Sequence, residues 1–515
     1  MTGFEPHDPL LPEIFALHGR WRSHKEAVIC GEDRLTWSEF DHRCNQVANA
    51  LSGLGLMPGD TIGILMSNSI AMVETLFGVM KAGLVSVPIN LSVSENAIES
   101  MFKDSNIKAL FATEDQAARL SLIRGLPEHL IVTGPAKGIG LSYDELISTQ
   151  PTTPPDVVVK AEHILNIIYS SGTTGMPKGI VQTHKARRDW ALDLSNALRY
   201  HGAARTLITI GLYSNISWVA LLCTLIGGGT IIVAEKFSPD GFLNIVAAEK
   251  ITHTAMVPIQ YQRVVEQMGH QDYDVSTMQA MMACGAPLHE EVKSQIFDLF
   301  PCGIIELYGL TEGIITTLDP EDVEGRLKSV GKPLLGTDIK ILDEKDQECA
   351  PGLSGEIVSY GRITMREYLN RPEETNEASW VDDRGRKWIR TGDIGFCDDE
   401  GFIYIVDRKK DMILSGGQNI YPQDIEAVII QHDNIQDVAV IGAKSTRWDE
   451  TPIALVVADK DIEYDQKSIL DWSNEKLGKQ QRIRDLIFVE DLPRNPNGKI
   501  LKGELRKIYG QKIYD

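Results

Sequence analysis

Hydrophobic and polar positions switch between two periodicities along the first part of the chain. Residues 38–54 and 71–82 place apolar side chains at helical spacing, which predicts two helices. Residues 61–66 and 85–88 are short, β-prone apolar runs, which predicts one strand after each of the two helices. Helices that alternate with strands in this way are typical of layered α/β domains.

The same rhythm resumes after a proline-rich stretch at residues 151–155, which we interpret as a surface linker. Apolar runs follow at residues 164–169, 207–210 and 230–233, and three glycines precede the last of them. The pattern therefore predicts a large domain built on parallel sheet that reaches roughly residue 315.

The pattern changes between about residues 331 and 405, where short β-prone runs are separated by Gly, Asp and Asn. Residues 339–342, 355–360 and 402–406 are such runs, and they predict an antiparallel sheet or a small barrel. From residue 411 onward, strands (438–441, 453–457) again mix with amphipathic helices (424–431, 466–476).

The predicted fold class is therefore α/β. A large N-terminal domain, residues 1–409, combines two layered α/β subdomains with a small β-barrel-like subdomain. A small, mobile α+β C-terminal domain follows at residues 410–515.

Composition excludes several classes of protein. Hydrophobic residues make up 43% of the 515 residues and charged residues 24%, which is typical of globular proteins. The net charge of -21 disfavours nucleic acid and anionic membranes as partners. The seven scattered cysteines form no C-x-x-C pair, the N-terminus lacks a basic and apolar leader, and no apolar run approaches ~20 residues, so we expect a cytoplasmic protein without integral membrane association.

A loop rich in glycine and hydroxyl residues carries the first chemical signal. Residues 169–179 read Tyr-Ser-Ser-Gly-Thr-Thr-Gly-Met-Pro-Lys-Gly and follow an apolar run. Glycine backbone, hydroxyl donors and the Lys178 ammonium are suited to phosphate. The spacing is not that of a Walker A loop, since Pro177 stands where its second glycine would be. By its composition alone, such a stretch is more often a mobile surface loop than a phosphate-binding loop.

The exact string closely resembles the signature of the adenylate-forming superfamily, which includes acyl-CoA synthetases, peptide-synthetase adenylation domains and beetle luciferases. Further matches run in order along nearly the whole chain, at residues 284–288, 308–312, 388–393, 407–411, 415–422 and 493–500. Each of these segments alone would pass for a turn or a solvated charged run.

The resemblance implies a role for individual residues. It implies binding of ATP or AMP by Ser170, Ser171, Gly172, Thr173, Thr174, Gly175, Lys178, Gly285, Ala286, Pro287, Glu306, Leu307, Tyr308, Gly309, Thr311, Asp393, Arg408 and Lys499. It implies catalysis by Lys499, Thr174, Glu312 and Lys178, with Glu312 as the magnesium ligand. It implies a hinge at Lys410, a coenzyme A tunnel at Ser415, Gly416 and Gly417, and an acyl pocket at Tyr213, Ser214, Trp218 and Gly309.

The implied activity is the ATP-dependent formation of an acyl-adenylate and then of a coenzyme A thioester, with ATP, Mg²⁺, coenzyme A and a small carboxylic acid as ligands. Ser214 departs from the family, because many relatives have a histidine there, and Glu367 stands before Tyr368 where relatives usually have a glycine. Amino-acid-activating relatives place an aspartate near Ser214, whereas this segment has no acid, so amino acids are not expected as substrates. We expect an aryl or medium-chain acid. His184 is shared with the family, but we leave it out of the catalytic set.

Three alternatives stay open from the sequence. They are a ligase that loads an acyl-carrier protein, a luciferase-like oxygenase, and an acyl-adenylate binder that has lost catalysis. The charged residues Lys178, Glu312, Asp393, Arg408 and Lys499 are all present, which favours a working enzyme. The oligomeric state is left open as well.

Overall fold

The computed structural model describes residues 8–134, 139–170, 177–415, 418–458, 465–479, 481–494 and 499–514. The helices are α1 Leu11–Trp21, α2 Trp37–Gly53, α3 Ile70–Lys81, α4 Glu95–Ser105, α5 Ala117–Leu120, α6 Tyr143–Ser148, α7 His184–Ala197, α8 Asn215–Gly227, α9 Pro239–Glu249, α10 Pro258–Met268, α11 Glu290–Leu299, α12 Pro372–Glu377, α13 Pro422–Ile429, α14 Gln466–Lys476 and α15 Lys502–Tyr509.

The strands are β1 Glu26–Cys30, β2 Asp33–Thr36, β3 Thr61–Leu65, β4 Val85–Pro88, β5 Ala109–Ala112, β6 His129–Val132, β7 Leu141–Ser142, β8 Ile164–Ser170, β9 Lys178–Thr183, β10 Arg205–Ile208, β11 Thr230–Val233, β12 His253–Met256, β13 Ala280–Ala283, β14 Ile305–Leu310, β15 Ile314–Leu318, β16 Lys332–Pro333, β17 Thr337–Leu342, β18 Gly355–Gly361, β19 Glu367–Tyr368, β20 Ser379–Val381, β21 Lys387–Cys397, β22 Ile403–Arg408, β23 Ile413–Ser415, β24 Gln418–Ile420, β25 Ile435–Ser445, β26 Asp449–Ala458, β27 Leu486–Phe488 and β28 Ile513–Tyr514.

Contacts among the described residues divide the chain into two compact units. The first comprises Met1–Leu327, Pro333–Asp338 and Tyr360–Ile389, and the second comprises Lys328–Lys332, Ile339–Ser359 and Arg390–Asp515. These bounds come from compactness and not from motion. The predicted division after residue 409 is a hinge about which the C-terminal domain rotates, and compactness does not test it, so it stays a prediction.

Two large, mainly parallel sheets form the frame of the first unit. One has nine strands in the order β16-β15-β14-β13-β12-β10-β11-β1-β2, and the other has eight in the order β19-β9-β8-β4-β3-β5-β6-β7. Antiparallel pairs occur towards the edges, at β1 with β2, β14 with β15, β8 with β9 and β9 with β19. The two layered α/β subdomains predicted from the sequence are confirmed.

Alternation along single strands shows how the layers stack in the first unit. Ile231 faces a core shared with α1, α2, α3, α7, α8 and the eight-stranded sheet, whereas its neighbour Ile232 faces a second core with α9 and α10. Side chains of a strand point to opposite faces in turn. Leu110 of the other sheet faces a third core with α4. The unit therefore has five layers, with helices outside both sheets and between them.

Local sequence explains why the elements begin where they do. Helix α2 begins at Trp37 because Thr36 and Glu39 form a capping box, in which the Glu39 N–H donates to Thr36 Oγ1 and the Thr36 N–H donates to Glu39 Oε2 at 2.8 Å. Helix α8 ends at Gly227, where Gly228 adopts the left-handed conformation that glycine favours. The predicted linker at residues 151–155 is exposed, but α2 side chains hold it: Asn49 donates to the carbonyls of Pro151 and Thr153.

The third and fourth sheets are largely antiparallel. The third has the order β17-β18-β21-β20, and β22 pairs antiparallel with β21. The fourth, in the second unit, has the order β24-β23-β26-β25-β28, with β27 beside β26. Its faces alternate in the same manner: Val440 and Val456 pack with α13 and α14, whereas Ile441 and Leu455 pack with α15.

Across the described residues, the structure has no helix of the length and apolarity that a bilayer crossing requires.

Candidate active site

The ends of the glycine-rich loop are fixed by a β-hairpin in the first unit. Strands β8 and β9 pair antiparallel, and Ser170 lies opposite Lys178 at the end of the pair that the loop connects. The predicted phosphate ligands Ser171, Gly172, Thr173, Thr174 and Gly175 lie outside the described residues. The described part of the loop therefore consists of its two anchors, and both were predicted as ligands.

Glu312 stands at the tip of a second hairpin, between β14 and β15. The Glu312 carbonyl accepts from the Met365 N–H at 2.8 Å, and the Thr311 carbonyl accepts from Gln182 Nε2 at 2.7 Å. Gly313 has φ of +123°, and a Cβ there would lie 2.5 Å from Thr364 Cα, so only glycine fits this turn. The tip is thus held from two sides, which fixes where the Glu312 carboxylate points.

A tyrosine absent from the predicted set joins Glu312 to Lys178. The Tyr368 hydroxyl donates to Glu312 Oε1 at 2.8 Å, and Lys178 Nζ lies 5.2 Å from the centre of the Tyr368 ring. Burial, then the neighbouring Glu312 charge, raises the pKa of the Tyr368 phenol above its usual range. We name Lys178, Glu312 and Tyr368 the Glu312 cluster.

Sequence reasoning missed Tyr368 because β19 is two residues long and carries no periodicity. Its pairing partner, Ile180 in β9, lies far away in sequence and follows directly on the phosphate loop. The available signal was the match of the surrounding segment to the family, in which Glu367 replaces a glycine.

The nucleotide-binding residues predicted at 285–287 and 306–309 lie in or just after two neighbouring strands of the nine-stranded sheet. Strand β13 runs parallel to β14, with Ala283 opposite Glu306, so Gly285, Ala286 and Pro287 follow the carboxyl end of β13 beside β14. Ligands of α/β proteins commonly bind at that edge of a parallel sheet. Within β14, Leu307 is buried and Tyr308 half-buried, and a Cβ at Gly309 would lie 2.6 Å from the Ile314 carbonyl.

Glu306 is committed to protein partners in this arrangement. The Lys293 ammonium pairs with Glu306 Oε2 and also donates to the Leu327 carbonyl, and the Leu288 N–H approaches Glu306 Oε1 at 3.5 Å. Burial raises the pKa of the Glu306 carboxyl, and the Lys293 charge opposes that rise. The pair ties β14 to the segment that follows β13, so Glu306 is placed to position neighbouring residues.

Three of the four residues predicted for the acyl pocket lie at the start of helix α8 or just before it. Ser214 caps the helix and is buried, and its Oγ accepts from the Ile216 N–H at 3.3 Å. Burial raises the pKa of the half-buried Tyr213 phenol. Trp218 is 1% exposed and donates from Nε1 to the Leu212 carbonyl at 3.0 Å, which places it in the core under the segment.

In the second unit, strand pairing brings two other predicted ligands together. Asp393 of β21 lies opposite Arg408 of β22, and Arg408 Nε lies 2.6 Å from Asp393 Oδ1. The Asp393 N–H donates to Thr391 Oγ1 at 3.0 Å. The ion pair therefore rests on a rigid antiparallel frame.

Lys499 joins this pair from the far end of the chain. The Leu501 N–H donates to the Pro493 carbonyl at 2.7 Å and Arg494 bridges Ile500, so the loop that carries Lys499 is closed at its base. Burial, then the Arg408 and Lys410 charges, lowers the pKa of the Lys499 ammonium to about 8, although Asp393 and Asp411 oppose the shift. We name Asp393, Arg408, Lys410 and Lys499 the Lys499 cluster.

The predicted hinge lies in a turn after β22. The N–H groups of Asp411 and Met412 both donate to the Arg408 carbonyl, at 2.9 and 3.0 Å, and Asp411 pairs with Arg506 at 2.9 Å. Burial lowers the pKa of the Lys410 ammonium. Of the predicted coenzyme A tunnel, Ser415 ends β23 opposite Gln418, whereas Gly416 and Gly417 lie outside the described residues.

Comparison with known proteins identifies the family. The family model of the AMP-binding enzymes matches residues 16–369, and that of their C-terminal domain matches residues 424–499. The chain is 31% identical to feruloyl-CoA synthase from Amycolatopsis sp over 95% of its length and 97% of the relative's. It is 31% identical to the long-chain-fatty-acid–CoA ligase FadD13 of Mycobacterium tuberculosis over 93% of its length and 94% of the relative's.

Solved structures agree in fold. The anthranilate CoA ligase AuaEII, in complex with anthranoyl-AMP, superposes with a TM-score of 0.88 at 26% identity, over 98% of both chains. Since the first family model alone covers more than half of the sequence, the chain belongs to the AMP-binding enzyme family.

Proposed function

We propose that this enzyme activates an aryl or medium-chain carboxylic acid as its adenylate and then transfers the acyl group to coenzyme A. The reaction class, an AMP-forming acid–thiol ligase that uses ATP, Mg²⁺ and coenzyme A, follows from the family. The observation that best supports a working enzyme is the Lys499 cluster, since Lys499 lies with Arg408 and Lys410 at the site predicted for catalysis.

The chemistry explains why both clusters are needed. A carboxylate is a poor electrophile, so a thiol cannot attack it directly at a useful rate. An oxygen of the carboxylate instead attacks the α-phosphorus of ATP, the bond to the β-phosphate oxygen breaks, and pyrophosphate leaves with that electron pair. Catalysis of such a step consists mainly of positioning and of stabilising negative charge. Lys178 and Lys499 supply that charge.

The donor chemistry of the first unit fits Mg²⁺. Among the described residues, no group of three or more His, Cys, Asp or Glu side chains is arranged to hold a metal ion. Mg²⁺ with nucleotides is commonly bound through one or two carboxylates plus the substrate's phosphates, so a single hard oxygen donor suffices. Glu312, oriented by the Tyr368 hydroxyl, is such a donor. The metal supplies charge neutralisation at the phosphate oxygens when bound.

The second half-reaction needs a different surface around the same adenylate. The coenzyme A thiolate attacks the acyl carbonyl carbon, the bond to the phosphate oxygen breaks, and AMP leaves. We propose that the C-terminal domain, residues 410–515, rotates about Lys410 between the two steps and brings Ser415, Gly416 and Gly417 to the pantetheine. The position of Lys410 in the turn that follows β22 supports this, because hinge motions are commonly absorbed by a few residues in loops or at the ends of elements.

The substrate class rests on the acyl segment and on the relatives. One relative is named for an aromatic acid and another for long-chain fatty acids, and both kinds of acid support an aryl or aliphatic carboxylic acid as the substrate. Tyr213 and Ser214 provide no carboxylate to pair with an amino acid's ammonium. We further propose that the enzyme acts in the cytoplasm, since seven free thiols suit a reducing compartment.

A panel assay tests the proposal. The protein is incubated with ATP, Mg²⁺, coenzyme A and a mixture of aliphatic and aromatic acids, and products are identified by mass spectrometry. We expect AMP together with the CoA thioester of an aryl or medium-chain acid. Acyl-AMP without thioester would instead indicate another thiol acceptor, such as a carrier protein, and no AMP with any acid would contradict the proposal.

A further inference from the structure

Helix α7 buries a polar cluster that the reaction described above does not use. His184 and Arg187 project from its first turn and Asn166 from strand β8, and their exposed fractions are 0%, 1% and 0%. Charged and polar side chains of this kind are rarely fully buried unless they are paired. We name Asn166, His184 and Arg187 the α7 polar cluster.

Arg187 is held by one polar partner and two rings. Its Nε donates to Asn166 Oδ1 at 3.2 Å, and its Cζ lies 4.9 Å from the Trp190 ring centre and 5.7 Å from that of Trp218. Within the described part of the chain, Arg187 Nη2 has no hydrogen-bond partner. Cation–π contacts stabilise a guanidinium, but they leave its N–H groups unsatisfied.

The charge of Arg187 also lacks a counter-ion among the groups that act on it. Burial lowers the pKa of the guanidinium to about 9, and no carboxylate contributes to raising it. By contrast, its neighbour Arg188 pairs with Asp189 at 2.7 Å. Removing a cation from water without a counter-charge is costly, so folding alone gives no reason to keep arginine here.

The other two members of the α7 polar cluster, Asn166 and His184, also carry buried polar atoms without a partner among the described residues. These atoms are Asn166 Nδ2 and both ring nitrogens of His184. Burial, then the nearby His163, lowers the pKa of His184 to about 3, so the ring is neutral and carries one N–H. A group that accepts hydrogen bonds and carries negative charge would accept from the Arg187 guanidinium, from the Asn166 amide and from the one N–H of His184.

The α7 polar cluster is linked through neighbouring elements to the predicted phosphate loop and to the predicted acyl pocket. Asn166 lies four residues before Ser170, the first anchor of the phosphate loop, on the same strand. Trp218, which contacts Arg187, lies on α8, directly after Tyr213 and Ser214 of the predicted acyl segment. Strand β8 and helix α8 therefore each join the α7 polar cluster to a residue predicted to bind ATP or the acid.

We propose that the α7 polar cluster binds a second carboxylate at the distal end of the acid substrate, with Arg187 as its counter-charge. This inference rests on the proposed function and narrows the substrate class to acids with two acidic ends. Arginine is suited to the task because its planar fork meets a carboxylate with two parallel hydrogen bonds.

Symmetrical diacids, each paired with the monoacid in which a methyl replaces one carboxylate, provide the test. Octanedioate is compared with octanoate, and terephthalate with p-toluate, by the rate of acyl-AMP formation. For at least one pair we expect the diacid to have a kcat/KM about tenfold or more above that of its methyl counterpart. A preference for the monoacid in every pair would overturn the inference while leaving the proposed function intact.

Variants separate recognition from folding. Arg187→Met should abolish the preference for the diacid while changing kcat/KM for the monoacid about threefold or less, and Arg187→Lys should restore part of it. Lys185→Met on the same helix removes an exposed charge and should leave the preference unchanged. An equal loss with both acids in Arg187→Met would overturn the inference, because it indicates a structural role.

A binding measurement completes the design. Octanedioate alone, without ATP, should raise the melting temperature of the wild-type protein and of Lys185→Met, but not that of Arg187→Lys to the same degree. If Arg187→Met does not fold, the melting-temperature shifts and the diacid preference of the wild-type enzyme still test whether the α7 polar cluster binds a second carboxylate. Absence of any adenylate with all acids would contradict the proposed function itself.

Discussion

The Glu312 cluster and the Lys499 cluster solve opposite electrostatic problems. In the first, a carboxylate accepts a hydrogen bond from a neutral phenol, so it keeps its negative charge for a cation. In the second, burial and then the charges of Arg408 and Lys410 lower the pKa of the Lys499 ammonium, while Asp393 and Asp411 oppose that shift only in part. One region is thus prepared for a metal ion and the other for an anion.

The comparison also shows two ways of building a site. The Glu312 cluster assembles residues from three short segments around hairpin tips, and its partners are fixed by backbone hydrogen bonds. The Lys499 cluster combines one strand pair with a loop that precedes α15, so its charges depend on a few side chains. We therefore expect single substitutions in the Lys499 cluster to have the larger effects.

The largest effect is expected from Lys499→Ala. Removing a donor that contacts charge developing in the transition state lowers the rate by roughly 10² to 10³. Adenylation, measured by exchange of labelled pyrophosphate into ATP, should fall by that factor. Lys467→Ala, which removes an exposed lysine of α14 in the same unit, serves as the control. An unchanged exchange rate with intact folding would refute the role of Lys499.

Glu312→Gln should come next. The amide keeps the shape of the side chain but loses the charge that a Mg²⁺ ligand needs, so adenylation should fall by on the order of 10². The same exchange assay at several Mg²⁺ concentrations should show that excess metal restores part of the activity. Glu324→Gln, at an exposed position, should behave as wild type. A loss of equal size in both variants would argue against a metal site at Glu312.

Lys410→Pro tests whether the Lys499 cluster moves between the half-reactions. Proline fixes φ, and in this turn the donors are the N–H groups of Asp411 and Met412, so adenylation should change little. Thioester formation, followed by mass spectrometry of acyl-CoA, should fall about tenfold or more. Lys410→Ala removes the charge without restricting φ and should spare the thioester step. Parallel losses in both half-reactions would speak against a hinge at this residue.

The pH profile sharpens the contrast between the clusters. Since the pKa of Lys499 is lowered to about 8, its charge is present below that pH and is lost as the pH rises through it. The kcat/KM for adenylation should therefore fall by about tenfold per pH unit above that value. Lys499→Arg, whose guanidinium stays protonated, should remove this alkaline decline. A decline that persists in Lys499→Arg would assign the titration to another group.

The smallest effect is expected from Tyr368→Phe. A hydrogen bond to a charged carboxylate contributes about 1.5 to 3 kcal/mol, of which only the part that orients Glu312 affects the rate, so adenylation should fall several-fold, and more steeply at low Mg²⁺. Tyr273→Phe is a matched control, because that hydroxyl donates to Asp240 at 2.8 Å outside the cluster. If the two variants respond identically to Mg²⁺, Tyr368 does not orient the metal ligand.

Much of the fold could be read from periodicity. The predicted strands at residues 85–88 and 230–233 and the helix at 466–476 coincide with β4, β11 and α14, because a buried strand or an amphipathic helix must carry its pattern in its own residues. The helix predicted from residue 38 begins one residue earlier, since the Thr36 cap and not the apolar pattern fixes its start. Helix α13 likewise begins earlier than predicted, at Pro422, whose fixed φ suits a first turn.

What the sequence by itself determined is the chemistry available: the motif residues, their order and the charges they carry. What only the tertiary structure decided is which of these charges meet. Asp393, Arg408 and Lys499 come together through a strand pair and a closed loop, and Tyr368 reaches Glu312 through a two-residue strand. The burial of Arg187 without a counter-ion is likewise a property of the tertiary structure, because nothing in the charged sequence of α7 distinguishes this arginine. The reason is physical: a pattern along the chain reports on neighbours within a turn or a strand, whereas charge coupling and desolvation depend on distance in space.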